Sequence, residues 1–259
     1  IGYEALKGSG TSSDNIGGCN IAIGNQAGYN VCCGDENVSI GSSAGKCLSH
    51  GNDNIFMGNG AGLCASWGSD NVVMGQLAGR GIYSGAKNII IGCEAGYGCN
   101  GGTVVTYNCN VVLGVKAGAC AKNGTSNVMI GTLAGFCHRE GYGNVQIGMC
   151  AGKCNICGCY NTYLGQGSGY TGNASGNYNV TLGYLATPAG AGDYQLAIGS
   201  GYNNWIDGNA NFNVGIGTDD PEAAVGAGVT AKLSVGIVSA YQFYGDGSCL
   251  TNVGAAATN

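Results

Sequence analysis

Proline and charge are what this sequence has least of: of 259 residues two are Pro, and 9% are Asp, Glu, Lys or Arg. With nine Lys plus Arg and a formal net charge of −5, the chain offers no basic surface for nucleic acid and no polybasic membrane anchor. No apolar run approaches the ~18 residues of a spanning helix, so membrane insertion is not expected. No charged segment followed by an apolar stretch reads as a targeting signal, and Ile1-Gly2 reads as the middle of a repeat. Scarce proline, with glycine that does not recur every third residue, excludes collagen. What is abundant is Gly, 53 residues, and Asn, 28 residues. An apolar content of 44% is too high for a disordered glycine-rich tail.

The glycines and asparagines fall into a fixed period. Asn20-Ile-Ala-Ile-Gly24-Asn-Gln-Ala-Gly28 returns as Asn37-Val-Ser-Ile-Gly41-Ser-Ser-Ala-Gly45 and again as Asn54-Ile-Phe-Met-Gly58-Asn-Gly-Ala-Gly62. The Asn column continues through Asn71, Asn88, Asn110, Asn127, Asn144, Asn161 and Asn179, and the Gly column through Gly75, Gly92, Gly114, Gly131, Gly148 and Gly165. A further Gly stands three residues before the Asn nearly every time, and Tyr107 breaks that column. The consensus G-x-x-N-[VI]-x-[ILM]-G-x-x-A-G plus five variable residues is a unit of 17. Degenerate copies follow at Ile198-Gly199 and Asn213-Val-Gly-Ile-Gly217. Two steps carry five extra residues, around 7–13 and 98–107, and are expected as outward loops.

In each unit the Val/Ile and the Ile/Leu/Met stand two apart, which is strand periodicity. A unit this short cannot hold a helix of ordinary length. Glycine suits sharp corners, and stacked Asn amides could bond one another as a ladder. The fold class expected is all-β: a parallel β-solenoid, or β-roll, of 17-residue rungs ~4.8 Å apart. Residues 1–217 are read as the repeat shaft and 218–259 as a β-rich connector or the start of a further fibre segment. We expect Val38, Ile40, Ile55 and Met57 to point inward. The residue between the inward pair (Phe56, Val73, Ile90, Val112 and Met129 in the middle of the rod) would then face out as an apolar strip, a self-association surface. A closed three-fold arrangement is preferred over a dimer.

These N-[VI]-x-[IL]-G-x-x-A-G units, over roughly 20–217, resemble the repeats of bacteriophage tail-fibre proteins, notably of cyanobacterial phages. More distantly they resemble the head repeats of trimeric autotransporter adhesins. Asn213-Val-Gly-Ile-Gly-Thr-Asp-Asp-Pro221 and Phe243-Tyr-Gly-Asp-Gly-Ser-Cys-Leu-Thr-Asn252 are similar to the connector that follows such repeats in phage fibres. The period of 17 is longer than the usual adhesin unit, and 15 cysteines are unusual in either group. The resemblance implies a structural fibre of a virion tail appendage, extracellular. Its partners would be itself as a homotrimer, other tail or fibre proteins, and a host surface receptor or glycan. The alternative is a bacterial cell-surface adhesin or filament subunit.

Chemistry-bearing residues are few. Cys47, Cys64, Cys120, Cys137 and Cys154 share one column, ten residues after the Asn, and would stack rung on rung. Most are expected as free thiols in tight packing, with inter-rung disulfides the alternative. Cys150, Cys154, Cys157 and Cys159 have C-x-x-C spacing but no second pair or nearby His, so no metal or other cofactor is expected. Gly58-Asn-Gly60-Ala-Gly62 lacks the following helix of a phosphate loop. His50 and His138 are expected as exposed polar corners, without the partners catalysis needs. Asp219, Asp220 and Glu222 are read as solvated carboxylates, which leaves a polysaccharide depolymerase a minor reading. Of the sequons at Asn37, Asn173 and Asn179, two have their Asn in the repeat column and are read as structural. No enzyme is expected, and Trp67, Tyr83 and Tyr107 are read as variable corners open to surface contacts.

Overall fold

A computed structural model describes residues 1–8, 17–98, 106–170, 175–188, 192–201 and 203–217, and the backbone of 233–235. Most of the two five-residue insertions (9–16 and 99–105), the sequon at Asn173, the carboxylates at 219, 220 and 222, and most of the connector lie outside the described residues. The chain is all-β and winds as a parallel β-solenoid. Ten three-residue strands mark ten rungs: β1 (Ile21–Ile23), β2 (Val38–Ile40), β3 (Ile55–Met57), β4 (Val72–Met74), β5 (Ile89–Ile91), β6 (Val111–Leu113), β7 (Val128–Ile130), β8 (Val145–Ile147), β9 (Thr162–Leu164) and β10 (Val180–Leu182). Each pairs in parallel with the next and in register, as in Ile55↔Val72, Phe56↔Val73 and Met57↔Met74.

Corners set the length of each strand. After the third strand residue comes the column Gly24, Gly41, Gly58, Gly75, Gly92, Gly114, Gly131, Gly148 and Gly165, with φ between 128° and 140°. A side chain is strained in that region. Space forbids one as well: a Cβ on Gly131 would lie 2.6 Å from the carbonyl oxygen of Gly148 on the next rung. A tight turn follows, closed in the second rung by Ala44 N–H donating to Gly41 O at 3.3 Å. The chain then passes the Ala column (Ala27, Ala44, Ala61, Ala78, Ala95), each fully buried.

That alanine column decides which strand residues face inward, and the answer reverses the expectation. Val38, Ile40, Ile55 and Met57 stand outside the coil, half-buried or exposed, while the residue between each pair is buried: Ser39, Phe56, Val73, Ile90, Val112, Met129, Gln146, Tyr163 and Thr181. The interior is too thin for two large side chains per strand and admits one, opposite the alanine. A second inward column, eleven residues after the Asn, balances its volume in the early rungs. Ser39 is matched by Leu48, Phe56 by Ala65 and Val73 by Ile82, as close packing requires.

Two further expectations are corrected. Tyr107 is 1% exposed and fills the core beside Val112 and Ala121, its hydroxyl 3.9 Å from Met129 Sδ. Room for the ring comes from Gly118 and Gly124, where a Cβ would meet it. His138 is fully buried because it occupies the second inward column, facing the core rather than solvent.

The regular stacking ends with β11. The copy at Ile198-Gly199 forms β11 (Leu196–Ser200), parallel to β10, but the copy at Asn213 does not add a rung. β11 turns back at Gly201 (φ 71°) into β12 (Asn203–Gly208), which pairs antiparallel with β11 and with β13 (Val214–Ile216). The reason is local. Gly199 lacks the x-x-Ala-Gly corner that the earlier rungs carry after their strands. β14 (Leu233–Val235) then pairs parallel with β13.

Three consecutive isoleucines test the facing. Ile89 and Ile91 are 43% and 39% exposed, and Ile90 is fully buried. Ile90→Asp would bury an unpaired charge, costing several kcal/mol, and is expected to abolish the cooperative urea transition followed by circular dichroism. Ile91→Asp is expected to keep the β-solenoid spectrum.

Candidate functional site

The repeat asparagines form a continuous hydrogen-bonded ladder through the rod. Asn37 N–H and Nδ2 donate to Asn20 Oδ1 at 2.9 and 3.0 Å, and Nδ2 donates again to Gly51 O at 2.8 Å. The pattern recurs at Asn54, Asn71, Asn110, Asn127 and Asn144. Asn88 follows it with Tyr107 O as the second acceptor. Asn161 and Asn179 carry it on to the backbone N–H of Gln195. From Asn37 to Asn179 these amides are at most 3% exposed, so each needs every one of these partners. The sequons at Asn37 and Asn179 are thereby committed to the ladder.

With backbone and amides satisfied inside, chemistry is left to the outer columns. Two apolar ridges run along the outer strand face, ten rungs long. One is Val/Ile at nine of its ten places, with Thr162 as the tenth, and the other mixes Ile, Met and Leu. Ile21, Ile23, Ile89, Ile91, Leu164, Val180 and Leu182 are 39–53% exposed.

The column just before the Asn adopts left-handed φ whatever its residue: Glu36 57°, Asp53 56°, Lys87 60°, Tyr160 57° and Tyr178 58°. That conformation turns its side chains out. Toward the C-terminal end it becomes an exposed aromatic ladder. Tyr160 stacks on Tyr178 at 5.1 Å between centroids and Tyr178 on Tyr194 at 5.0 Å, with Phe212 at 6.1 Å beyond; before Asn144 the column holds Gly143, and Tyr142 from the adjacent position meets Tyr160 edge-on at 5.0 Å. On another corner cations sit over rings, Lys46 over Tyr29, Arg80 over Tyr97 and Lys153 over Tyr170.

The predicted cysteine ladder stands at the surface rather than in tight packing: Cys47, Cys64 and Cys137 are half-buried thiols and Cys154 an exposed one, while Cys120 is disulfide-bonded. Cys47 on the rung before holds the Cys64 thiol below its ordinary pKa, with Arg80 adding to the effect. Cys47 is pushed up for the same reason. Among the described residues, the thiols at 150, 154, 157 and 159 do not gather into a metal-binding group. The group that does gather is Cys32, Cys33 and His50. The period itself signals this, because Cys33 and His50 are 17 residues apart and therefore neighbours in one column.

His138 is enclosed against Gly141, and both ring nitrogens lack hydrogen-bond partners, as do the buried Gln146 Oε1, Asn155 Nδ2 and Tyr163 hydroxyl elsewhere in the interior. Burial holds the imidazole below its ordinary pKa, with the nearby backbone of Gly141 and Asn155 opposing weakly.

Two predictions follow from this interior. His138 stays neutral when folded but titrates near 6.5 when unfolded. Its contribution to stability is therefore complete above about pH 6.5 and lost as pH falls below it, by about 1.4 kcal/mol per pH unit while the folded ring remains neutral. Urea midpoints at pH 7.5 and 5.5 should differ more for the parent than for His138→Leu. In the ladder, Asn127→Ala leaves the buried Asn144 backbone N–H without its acceptor, at ~1–3 kcal/mol, and removes one donor each from Asn110 Oδ1 and Gly141 O and one acceptor from Asn144 Nδ2. Its denaturation midpoint should fall well below that of a surface control such as Lys122→Ala.

Set against protein-family models, curated proteins and solved structures, the chain finds no match in any of the three. What its own geometry establishes is a β-solenoid repeat protein of about ten 17-residue rungs.

Proposed function

We propose that this chain is the shaft of an extracellular fibre, a virion tail appendage that spaces and presents host-attachment elements, and that it works as a homotrimer. The observation that carries the reading is the outer strand face. The two apolar ridges form a strip roughly 48 Å long and 10 Å wide, from ten rungs at ~4.8 Å and three residues at ~3.3 Å. A contiguous strip of about 500 Å² is at the upper end of what a monomer leaves exposed. The self-association surface expected from the sequence thus has a different set of residues, the flanking positions instead of the middle one.

The two ridges differ chemically, and that favours three-fold closure. If the Val/Ile ridge of one protomer meets the Ile/Met/Leu ridge of the next, the contact is heterologous and closes as a ring. Flanking corners add the rest of the ~800 Å² per partner that stable association needs. Low charge across the ridges supports the same packing. Rungs that touch only their neighbours make a stiff spacer, and the exposed aromatic ladder offers ring faces and edges to a receptor or glycan. The bacterial adhesin reading shares all these features and is separated from the virion reading by location alone.

Light scattering on purified protein is expected to give trimers, and the double variant Ile89→Asp/Ile91→Asp monomers with an unchanged β spectrum. A monomeric parent would remove the basis for the trimer. Antibodies to the chain should decorate the tail region of virions, whereas labelling confined to bacterial cell surfaces would favour the adhesin.

A further inference from the structure

Thiol and imidazole meet at the corner where the first two rungs stack. Cys33 and His50 stand thirteen residues after Asn20 and Asn37, so the period puts one directly against the other. Cys32 turns in beside them, its thiol donating to the Ser49 carbonyl at 3.2 Å. One ligand atom from each of the three residues lies within 4.8 Å of the other two. Around tetrahedral zinc, with Zn–S about 2.3 Å and Zn–N about 2.0 Å, ligand atoms stand roughly 3.5–3.8 Å apart. About an ångström of side-chain closure therefore suffices.

The imidazole is already held in place. Its ring lies flat on Trp67, with centroids 4.0 Å apart and planes 1° apart. Its Nδ1 is 2.9 Å from Ser49 Oγ, which in turn is 2.9 Å from Ser66 Oγ. Such outer partners orient a ligating imidazole. Cys32 is buried, Cys33 half-buried and His50 exposed, so the cluster is closed on the rod side and open to solvent on the other.

The geometry points to a metal site at Cys32, Cys33 and His50 that takes a thiophilic ion of the Zn²⁺ class through three protein ligands, leaving one coordination position open. Two thiolates and a neutral imidazole balance the charge of a divalent ion, the two S–H protons passing to solvent as the metal binds. A ligand set of sulfur and nitrogen disfavours Ca²⁺ and Mg²⁺, which take oxygen. The site is independent of the fibre reading, since it requires the solenoid stacking alone.

Reduced, chelator-treated full-length chain would be titrated with Co²⁺ as a spectroscopic stand-in, then with Zn²⁺ against a chromophoric chelator. Expected are a thiolate-to-cobalt charge-transfer band and tetrahedral d–d bands that saturate at one equivalent and are displaced by Zn²⁺. Cys33→Ser and His50→Gln should each weaken binding at least tenfold while circular dichroism stays unchanged. Cys154→Ser and Cys157→Ser should leave the titration as it was. Absence of the bands, their persistence in both His50→Gln and Cys33→Ser, or their loss in the Cys154 or Cys157 variants would overturn the assignment.

Discussion

Each rung of this rod is held at a fixed height by one side-chain amide, and the rest of the architecture follows from that contact. An Asn whose Oδ1 takes two donors from the next rung, and whose Nδ2 reaches both neighbours, has no hydrogen-bonding capacity to spare. It is satisfied only if every rung repeats the same backbone path at the same spacing. That is why the corner glycines recur: at Gly131 both the backbone angle and the carbonyl of the rung above exclude a side chain. It is also why insertions are confined to places between complete units, where they do not alter the height of the following Asn.

A coil this tight leaves its interior little room, and the division of labour between inside and outside follows. One strand residue per rung points in, against an alanine, and its volume is balanced in the early rungs by the second inward column, as Phe56 is by Ala65. Everything else apolar on the strand is left outside. The outer ridges are thus a by-product of the thin core, and they are the surface on which the proposed association rests. Residues at the corners, by contrast, are fixed in direction by backbone angle and little constrained in identity. Glu, Lys and Tyr succeed one another in a single column, and the same freedom lets a Cys and a His become neighbours on the first two rungs.

The period, the strand positions, the parallel stacking and the glycine corners were legible in the sequence, because each is written as a column that fails if one member is wrong. The facing of the strand was not. Val72-Val73-Met74 and Ile89-Ile90-Ile91 are apolar at all three places, so alternation, the signal that normally separates inside from outside, is missing. A finer signal was present in residue size. The buried column varies from Ser39 to Phe56 in step with a compensating column, and one outer ridge keeps almost to Val and Ile. His138 and Tyr107 were misplaced for a related reason: both are polar or amphipathic side chains at columns assigned to corners, where composition suggests solvent and only the three-dimensional path shows the core. The left-handed residues before the Asn were equally hidden, since Glu, Lys and Tyr do not advertise that conformation as glycine does. The hairpin at Gly201 was hidden too, because Asn213-Val-Gly-Ile-Gly217 keeps the motif while losing the corner that made it stack.

The amide ladder also has a direction. Every repeat Asn from Asn20 onward offers its side-chain carbonyl to the rung that follows it, as far as the backbone N–H of Gln195. These carbonyl dipoles therefore add along the axis and do not cancel, much as peptide dipoles add in a helix. In a low-dielectric interior each polarises the next. The rod is electrically asymmetric from end to end even though it carries few charges, and its two ends present different fields to whatever is joined to them. Parallel association of several chains side by side would sum those fields, giving a bundle of nearly uncharged protein a built-in polarity.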